Sequence, residues 1–124
     1  MGTVRILAVD DSATMRSLVQ QTLGMGGYDV LLASDGKEGI EKFGEGPFDL
    51  VITDINMPVM DGITFIRELR KIDTKVPILT LTTESEESMK RSGAAAGANG
   101  WIVKPFRPIQ FLDIIKQVLQ SDIA

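Results

Sequence analysis

The feature that most constrains the fold of this chain is an alternation of short apolar runs with segments of helical period. Five runs rich in β-branched residues each precede a segment in which apolar residues recur every three or four positions. The predicted strands are Val4 to Val9, Tyr28 to Ala33, Leu50 to Thr53, Val76 to Leu81, and Trp101 to Val103. This (βα)5 rhythm predicts an α/β fold with an open, doubly wound parallel sheet.

Turn and cap residues indicate where the helices begin and end. The first helix should stop at a glycine-rich run, Gly24 to Gly27, Asp35 precedes a short second helix, and Pro108 opens the last helix. The apolar residues at helical spacing are Met15, Leu18, Val19 and Leu23 on the first helix, Ile40 and Phe43 on the second, and Phe111, Leu112, Ile115 and Leu119 on the last.

The fourth helix differs from the others in composition. Between Ser85 and Gly97 the only bulky apolar side chain is that of Met89, and Gly93 and Gly97 lower the helix propensity. A helix with so few apolar side chains buries little surface against the sheet. We therefore expect it to be weakly anchored.

Length and composition bound the class of protein. The 124 residues are expected to form one domain, residues 1–124. No apolar stretch is long enough to span a membrane and no secretory signal is apparent, which favours a soluble protein of the cytoplasm that binds no membrane. The chain has no Cys and no His, which excludes disulfides, thiolate zinc sites and imidazole catalysis. A net charge of −4 disfavours binding to nucleic acid, so a protein partner is the better expectation.

Polar side chains follow four of the predicted strands at the end where ligands of such sheets collect. They are Asp10 and Asp11 after the first strand, Asp54 after the third, Thr82 after the fourth and Lys104 after the fifth. Three neighbouring carboxylates repel one another unless a cation joins them or one is protonated. All-oxygen ligands with space for water and phosphate favour Mg²⁺, and Mg²⁺ with Lys104 would balance the three charges.

These residues suit phosphoryl transfer, which depends on positioning and on stabilisation of charge. Asp54 is the expected nucleophile because it ends a central strand and enters a loop, and Asp10 and Asp11 would hold the metal. Each residue alone has an ordinary explanation: acids before a helix serve as caps, an aspartate such as Asp54 is common in turns, Lys104 suits a solvated side chain and Thr82 suits a strand. Four such coincidences on one edge are less plausible than a shared site.

Four motifs resemble those of bacterial two-component receiver domains, and the resemblance runs from about Val4 to Leu119. The motifs are Val9-Asp10-Asp11-Ser12, Asp54-Ile55-Asn56-Met57-Pro58-Val59-Met60-Asp61-Gly62, Leu81-Thr82-Thr83 and Lys104-Pro105-Phe106. The resemblance implies a single-domain flavodoxin-like sandwich with strand order 2-1-3-4-5. It also implies a cis bond between Lys104 and Pro105.

The resemblance further implies a role for each site residue. Asp54 would be the phosphoacceptor and, with Asp10, Asp11 and the backbone carbonyl of Asn56, would bind Mg²⁺. Thr82 and Lys104 would bind the phosphoryl oxygens, Asn56 and Glu84 would tune dephosphorylation, and Thr82 and Trp101 would form the switch. The family often has Tyr or Phe where this chain has Trp101, so coupling here should depend on packing. The partner surface would be the face of the fourth helix, fifth strand and fifth helix.

Within that family the chain is most similar to single-domain chemotaxis regulators, through Asp11-Ser12-Ala13-Thr14-Met15-Arg16 and Ala98-Asn99-Gly100-Trp101. This similarity implies a CheA-type histidine kinase as phosphodonor and a FliM-type flagellar motor switch protein as target, with a phosphatase as a further candidate partner. The protein would be a monomer that catalyses its own phosphorylation and dephosphorylation without a separate substrate. The alternative is a phosphorelay intermediate or phosphate sink of another two-component pathway.

Three other classes of protein share some of these features. A flavodoxin-like FMN binder needs amides or basic groups after the first strand, where this chain has Asp10 and Asp11. A haloacid-dehalogenase-type phosphatase places Asp-x-Asp after the first strand, whereas here the acids are adjacent. A structural binding module with an inactive acidic edge would bind no Mg²⁺ and accept no phosphoryl group.

Overall fold

A computed structural model of the chain describes residues 3–83 and 85–121, with Ser121 described through its backbone alone. Within these residues, strands and helices alternate along the chain. The elements are β1 (Arg5–Val9), α1 (Ala13–Met25), β2 (Asp29–Ala33), α2 (Gly36–Phe43), β3 (Leu50–Thr53), α3 (Gly62–Ile72), β4 (Ile78–Thr82), α4 (Glu87–Ala96), β5 (Gly100–Val103) and α5 (Pro108–Ser121).

The five strands form one parallel sheet of order β2-β1-β3-β4-β5. The α/β flavodoxin-like fold and its strand order are therefore confirmed. In the register of β1 and β3, Val9 lies opposite Thr53. Because both strands run in the same direction, the residues that follow them, Asp10 and Asp54, leave the sheet side by side.

The core lies in two layers, one on each face of the sheet. On β1, Leu7 and Val9 face one layer and Ile6 and Ala8 face the other. The first layer includes Phe65, Ile66 and Leu69 of α3 and Ala96 of α4, and the second includes Val19 and Leu23 of α1 and Phe111 and Ile115 of α5. Strands covered on both faces explain why their sequences are apolar on successive residues.

The predicted strand boundaries differ from the observed ones most clearly at β4. The prediction began at Val76, but the strand begins at Ile78 and extends to Thr82. Pro77 has no N–H to donate to a neighbouring strand, although its carbonyl accepts a hydrogen bond from the Val51 amide at 2.9 Å. Thr82, a polar residue at the carboxyl end, is thus part of the sheet.

The helix ends follow the cap residues. α1 runs to Met25 with Gly26 as its C-cap, and α2 begins after Asp35, whose carboxylate accepts a hydrogen bond from the Glu38 amide at 2.8 Å. On α5, Phe111 and Ile115 are buried, and Leu112 and Leu119 pack against the core from partly buried positions. Leu18 belongs to the apolar pattern of α1 but is 41% exposed.

Helix α4 has little buried surface, as its composition predicted. Among its described residues only Gly93 and Ala96 are buried, and its N-cap residue Glu86 makes no side-chain cap hydrogen bond. Apolar contacts therefore hold α4 weakly, and polar contacts at its C-terminal end matter more. None of the helices in residues 3–83 and 85–121 is both long enough and apolar enough to cross a membrane.

Candidate functional site

Four charged side chains meet at the carboxyl edge of the sheet. Asp10 and Asp11 follow β1, Asp54 follows β3 and Lys104 follows β5. One carboxylate oxygen from each of the three aspartates lies within 4.8 Å of the others. We call these four residues the acidic rim. The structure thus brings together three carboxylates and one ammonium group that are up to 94 positions apart in the chain.

Lys104 connects the two buried carboxylates of the acidic rim. Its Nζ lies 2.7 Å from Asp10 Oδ2 and 3.1 Å from Asp54 Oδ2. All three side chains are at most 10% exposed. Asp11, by contrast, is exposed. The buried part of the rim is therefore partly neutralised by a group of the protein itself, and Asp11 faces solvent.

The pKa values of Asp10 and Lys104 reflect their burial and their mutual attraction. Burial raises the pKa of Asp10 above its ordinary value, and the hydrogen bond and charge of Lys104 only partly oppose this effect. For Lys104, burial alone would lower the pKa, but the hydrogen bonds and charges of Asp10 and Asp54 raise it. Lys104 is therefore a cation at neutral pH.

Backbone contacts fix the orientation of Asp54. Its amide donates to the Val9 carbonyl at 2.9 Å, and its carboxylate Oδ1 accepts from the Ile55 amide at 2.7 Å. The Thr53 hydroxyl donates to the Asp54 carbonyl at 2.8 Å. The other carboxylate oxygen points to Lys104, so the side chain is held at both oxygen atoms.

Gly62 makes the close approach that this arrangement requires. A Cβ at Gly62 would lie 2.0 Å from the Asp54 carbonyl oxygen and 2.7 Å from the Ile55 Cα. The Gly62 amide donates to the Ile55 carbonyl at 2.8 Å. Sequence reasoning assigned no role to Gly62 or Thr53, although the Asp61-Gly62 pair before a helix is a visible signal for such a turn.

The loop between β1 and α1 is held from both sides. Asp10 Oδ1 accepts from the Ser12 amide at 2.9 Å, and the Ser12 hydroxyl accepts from the Met15 amide at 3.2 Å as the N-cap of α1. Arg16 reaches back from α1 and donates to the Asp10 carbonyl at 2.7 Å. The helix cap is thus Ser12, so capping does not account for the two aspartates.

The remaining residues of the predicted site lie around the rim at different depths. Thr82 is buried at the end of β4, and its carbonyl accepts from the Lys104 amide at 2.8 Å. Asn56 is exposed in the loop after β3. Trp101 is partly buried on β5, beside α4 and farther from the rim. Glu84 lies outside the described residues. The Lys104–Pro105 bond is cis, as the resemblance implied.

The donor set of the rim fits a hard divalent cation. Three carboxylate oxygens within 4.8 Å of one another can share one ion, and an exposed Asp11 leaves room for water ligands. Mg²⁺ prefers such oxygen ligands, whereas softer metals prefer the thiolates or imidazoles that this chain lacks. Asp10, Asp11 and Asp54 are the side chains that could hold it, with the Asn56 carbonyl as the expected fourth protein ligand.

Comparison with known proteins adds an independent observation. The family model of the response regulator receiver domain matches residues 6–116 of this chain. The chain is 40% identical over 116 residues to the chemotaxis protein CheY of Bacillus subtilis, covering 93% of this chain and 97% of that protein. It is also 39% identical over 121 residues to the transcriptional regulatory protein PhoP of the same organism, covering 97% of this chain but only 50% of PhoP.

A solved structure shows the same likeness in three dimensions. The chemotaxis protein CheY4 of Vibrio cholerae, crystallised at low pH, superposes with a TM-score of 0.91. The two chains are 43% identical, and the match covers 94% of this chain and 99% of CheY4. The family match over residues 6–116 contains all four residues of the acidic rim.

Proposed function

Because the chain belongs to the response regulator receiver domain family, we propose that it accepts a phosphoryl group on Asp54, with Mg²⁺ bound beside it, and then changes the surface that it offers to a partner. The observation that carries this proposal is the environment of the Asp54 carboxylate. It is buried, fixed by the Ile55 amide, paired with Lys104 and close to two further carboxylates. An isolated turn residue would need none of these contacts.

The donor is expected to be a phosphohistidine of a CheA-like histidine kinase. A carboxylate oxygen of Asp54 attacks phosphorus, the bond from phosphorus to the imidazole nitrogen breaks, and its electron pair stays on that nitrogen. The product is an aspartyl phosphate. Lys104 and the Thr82 hydroxyl would bind the phosphoryl oxygens, so charge is stabilised where it develops.

When bound, Mg²⁺ would offset the charge of the phosphoryl group and of the rim. Asp10, Asp11, Asp54 and the Asn56 carbonyl would hold it. Loss of the phosphoryl group is attack by water on phosphorus, which returns a free Asp54 carboxylate and phosphate. We propose that two residues tune the rate of this step by flanking the attacking water. They are Asn56, which is exposed and follows Asp54 by two positions, and Glu84, which follows Thr82 by two positions. This chain catalyses both steps on itself and acts on no separate substrate.

The proposed switch links Thr82 to Trp101 and α4. Thr82 is buried at the end of β4, and Trp101 lies on the neighbouring strand β5, in register with Thr80. A phosphoryl group that draws the Thr82 hydroxyl toward the rim would free space for the Trp101 ring. Movement of the ring would then alter the face formed by α4, β5 and α5, which carries exposed Val103, Ile109 and Ile114.

The proposed pathway is chemotaxis, with a FliM-like switch protein of the flagellar motor as target and control of flagellar rotation as output. Its support is the likeness to two chemotaxis proteins over nearly their whole length. The likeness to PhoP, a transcriptional regulatory protein about twice as long, shows that sequence similarity is not specific to chemotaxis. The alternative is therefore a phosphorelay intermediate or phosphate sink of another two-component pathway. A single domain over residues 1–124, a monomeric state, a phosphatase partner and a cytoplasmic location stay predictions.

Intact mass spectrometry tests the central step. Wild-type protein incubated with Mg²⁺ and acetyl phosphate should gain one phosphoryl group, and Asp54→Asn should gain none. Asp113→Asn, which changes an exposed aspartate of α5, is the matched control and should be modified like wild type. An adduct of equal stoichiometry on Asp54→Asn would refute the assignment of the phosphoacceptor.

A further inference from the structure

The two ends of α4 are held in different ways. At the C-terminal end, the Arg70 side chain from α3 donates to the Gly97 carbonyl through Nε at 3.1 Å and through Nη2 at 2.8 Å. Nη2 also donates to Asn99 Oδ1 at 3.0 Å. One guanidinium group therefore joins α3 to the residues that directly follow α4.

Asn99 extends this connection to the sheet. Its side-chain Oδ1 accepts a hydrogen bond from the Ile78 backbone amide at 2.8 Å. The backbone amide of Asn99 donates to the Ile78 carbonyl at 2.7 Å. Arg70 Nη1 also donates to the Asp73 carbonyl at 3.2 Å. We call Arg70, Gly97 and Asn99 the arginine clamp, since they join α3, the end of α4 and the start of β4.

Gly97 is suited to this position for two reasons. Its φ of +121° lies in a region that side chains disfavour, and a Cβ would lie 2.7 Å from Arg70 Cγ. The aliphatic part of Arg70 therefore lies flat against the backbone at the end of α4. The planar fork of the guanidinium then holds one carbonyl with two N–H groups, which a Lys side chain could not do.

The rest of α4 has no comparable attachment among the described residues. In its middle, Gly93 lies against the Trp101 ring, where a Cβ would be 2.7 Å from Trp101 Cζ3. At its N-terminal end Glu86 provides no side-chain cap, and Glu87 and Ser88 are exposed. This end is joined to the acidic rim by the short connection that follows Thr82.

We propose that Arg70 is a positioning residue that fixes the C-terminal end of α4, so that α4 pivots about Gly97 when the acidic rim is occupied. The proposal rests on the function proposed above and specifies how its surface changes. The Trp101 ring touches α4 at Gly93, between Gly97 and the N-terminal end of the helix, so a small shift of the ring would move the N-terminal end farther.

The pivot sets the ratio of two displacements. With a rise of about 1.5 Å per residue, Ser88 lies roughly 13 Å along the helix from Gly97 and Ala95 roughly 3 Å, so Ser88 should move roughly four times as far. Both positions are exposed, and the chain has no native Cys to interfere with labelling. Spin labels on Ser88→Cys and Ala95→Cys can each be paired with one on Gln20→Cys, an exposed site on α1.

The experiment measures both distances by pulsed electron paramagnetic resonance, with and without Mg²⁺ and beryllofluoride, and measures occupancy by fluorine NMR. In the wild-type background, the change at Ser88 should exceed that at Ala95 about fourfold. In Arg70→Ala and in Arg70→Lys, which keeps the charge without the fork, the ratio should fall toward one. Arg67→Ala, on the exposed side of α3, is the matched control and should leave the ratio unchanged.

Each outcome bears on a different statement. Equal changes at both sites in the wild-type background, or an unchanged ratio in both Arg70 variants, would overturn the pivot while leaving phosphoryl acceptance intact. A purely structural role of Arg70 would lower stability without altering the ratio. If beryllofluoride does not bind the wild-type protein, the proposed function fails, and the pivot fails with it.

Discussion

The acidic rim and α4 carry the two parts of the proposed function, yet they are held by opposite kinds of contact. The rim is charged and, apart from Asp11, buried, and a lysine and two backbone amides fix the carboxylates of Asp10 and Asp54. Helix α4 is largely exposed, and bare glycine backbone forms its contacts with Arg70 and Trp101. A site that must orient reacting atoms benefits from rigidity, whereas a surface that must change benefits from few contacts that can be exchanged.

The largest expected effect tests whether the ion pairs of Lys104 with Asp10 and Asp54 stabilise the fold. Lys104→Met should lower the free energy of unfolding by about 3 kcal/mol at pH 7 without divalent cations, because two buried carboxylates lose their partner. Lys71→Met is the matched control, since Lys71 pairs with Glu68 at 2.8 Å on the surface with side chains 72% and 42% exposed. Its loss should be about 0.5 kcal/mol or less. Urea unfolding gives both values, and equal losses would contradict the comparison.

A second change tests the tight packing beneath the rim. Gly62→Ala should cost about 2 kcal/mol or more, because the new Cβ would lie 2.0 Å from the Asp54 carbonyl and the backbone must shift. Gly24→Ala in α1 meets nothing within 4 Å and should stabilise by about 0.5 kcal/mol. The thermal unfolding midpoint should therefore fall in Gly62→Ala and rise in Gly24→Ala. A Gly62→Ala protein as stable as wild type would show that this loop is not rigid.

A third change addresses α4. Gly93→Ala would place a Cβ 2.7 Å from the Trp101 ring, but the ring edge can move and Ala favours the helix by about 1 kcal/mol. We expect a net change in stability below about 1 kcal/mol. The emission of Trp101, the only tryptophan, should shift even without a phosphoryl mimic. Ala95→Gly is the control, with lower stability and unchanged emission. Unaltered emission in Gly93→Ala would separate Trp101 from α4.

The smallest expected effect depends on pH and concerns the turn beside the arginine clamp. Hydrogen bonds from the Lys75 and Val76 amides lower the pKa of Asp73 below its ordinary value of 3.8. Its contribution to stability is therefore complete above pH 3.8 and is lost as the pH falls through the lower native pKa. Asp73→Asn should lower the free energy of unfolding at pH 6 and have less effect near pH 3. A difference that is constant between these pH values would exclude this linkage.

Much of the fold and of the rim could be predicted from the sequence, because short-range patterns encode them. Apolar runs mark strands buried on both faces, and acids directly after a strand must lie at its carboxyl end. Asp10, Asp54 and Lys104 were therefore expected to meet, and the ion pairs of Lys104 show that they do. The start of β4 was misplaced because an apolar run through Pro77 looks continuous, although proline cannot donate to the ladder.

The contacts that the sequence did not reveal are those between distant polar groups and bare backbone. Arg70 lies 27 positions from Gly97 in the chain. Because an arginine on an amphipathic helix is typical of the face exposed to solvent, the sequence did not indicate this contact. The fourth helix was correctly predicted to bury few apolar side chains, but its polar attachment at one end was missed. In the same way Gly62 has a role only because the chain returns to the Asp54 carbonyl.

The ion pairs of Lys104 also bear on timing. Asp10 and Asp54 share a cationic partner with no metal or phosphoryl group bound, so three of the groups that the proposed phosphoryl transfer needs are already assembled. If Asp54 accepts a phosphoryl group as proposed, these three groups would need no rearrangement before the transfer. The response time of the proposed switch would then be set by the encounter with the donor and by the movements of Thr82 and α4.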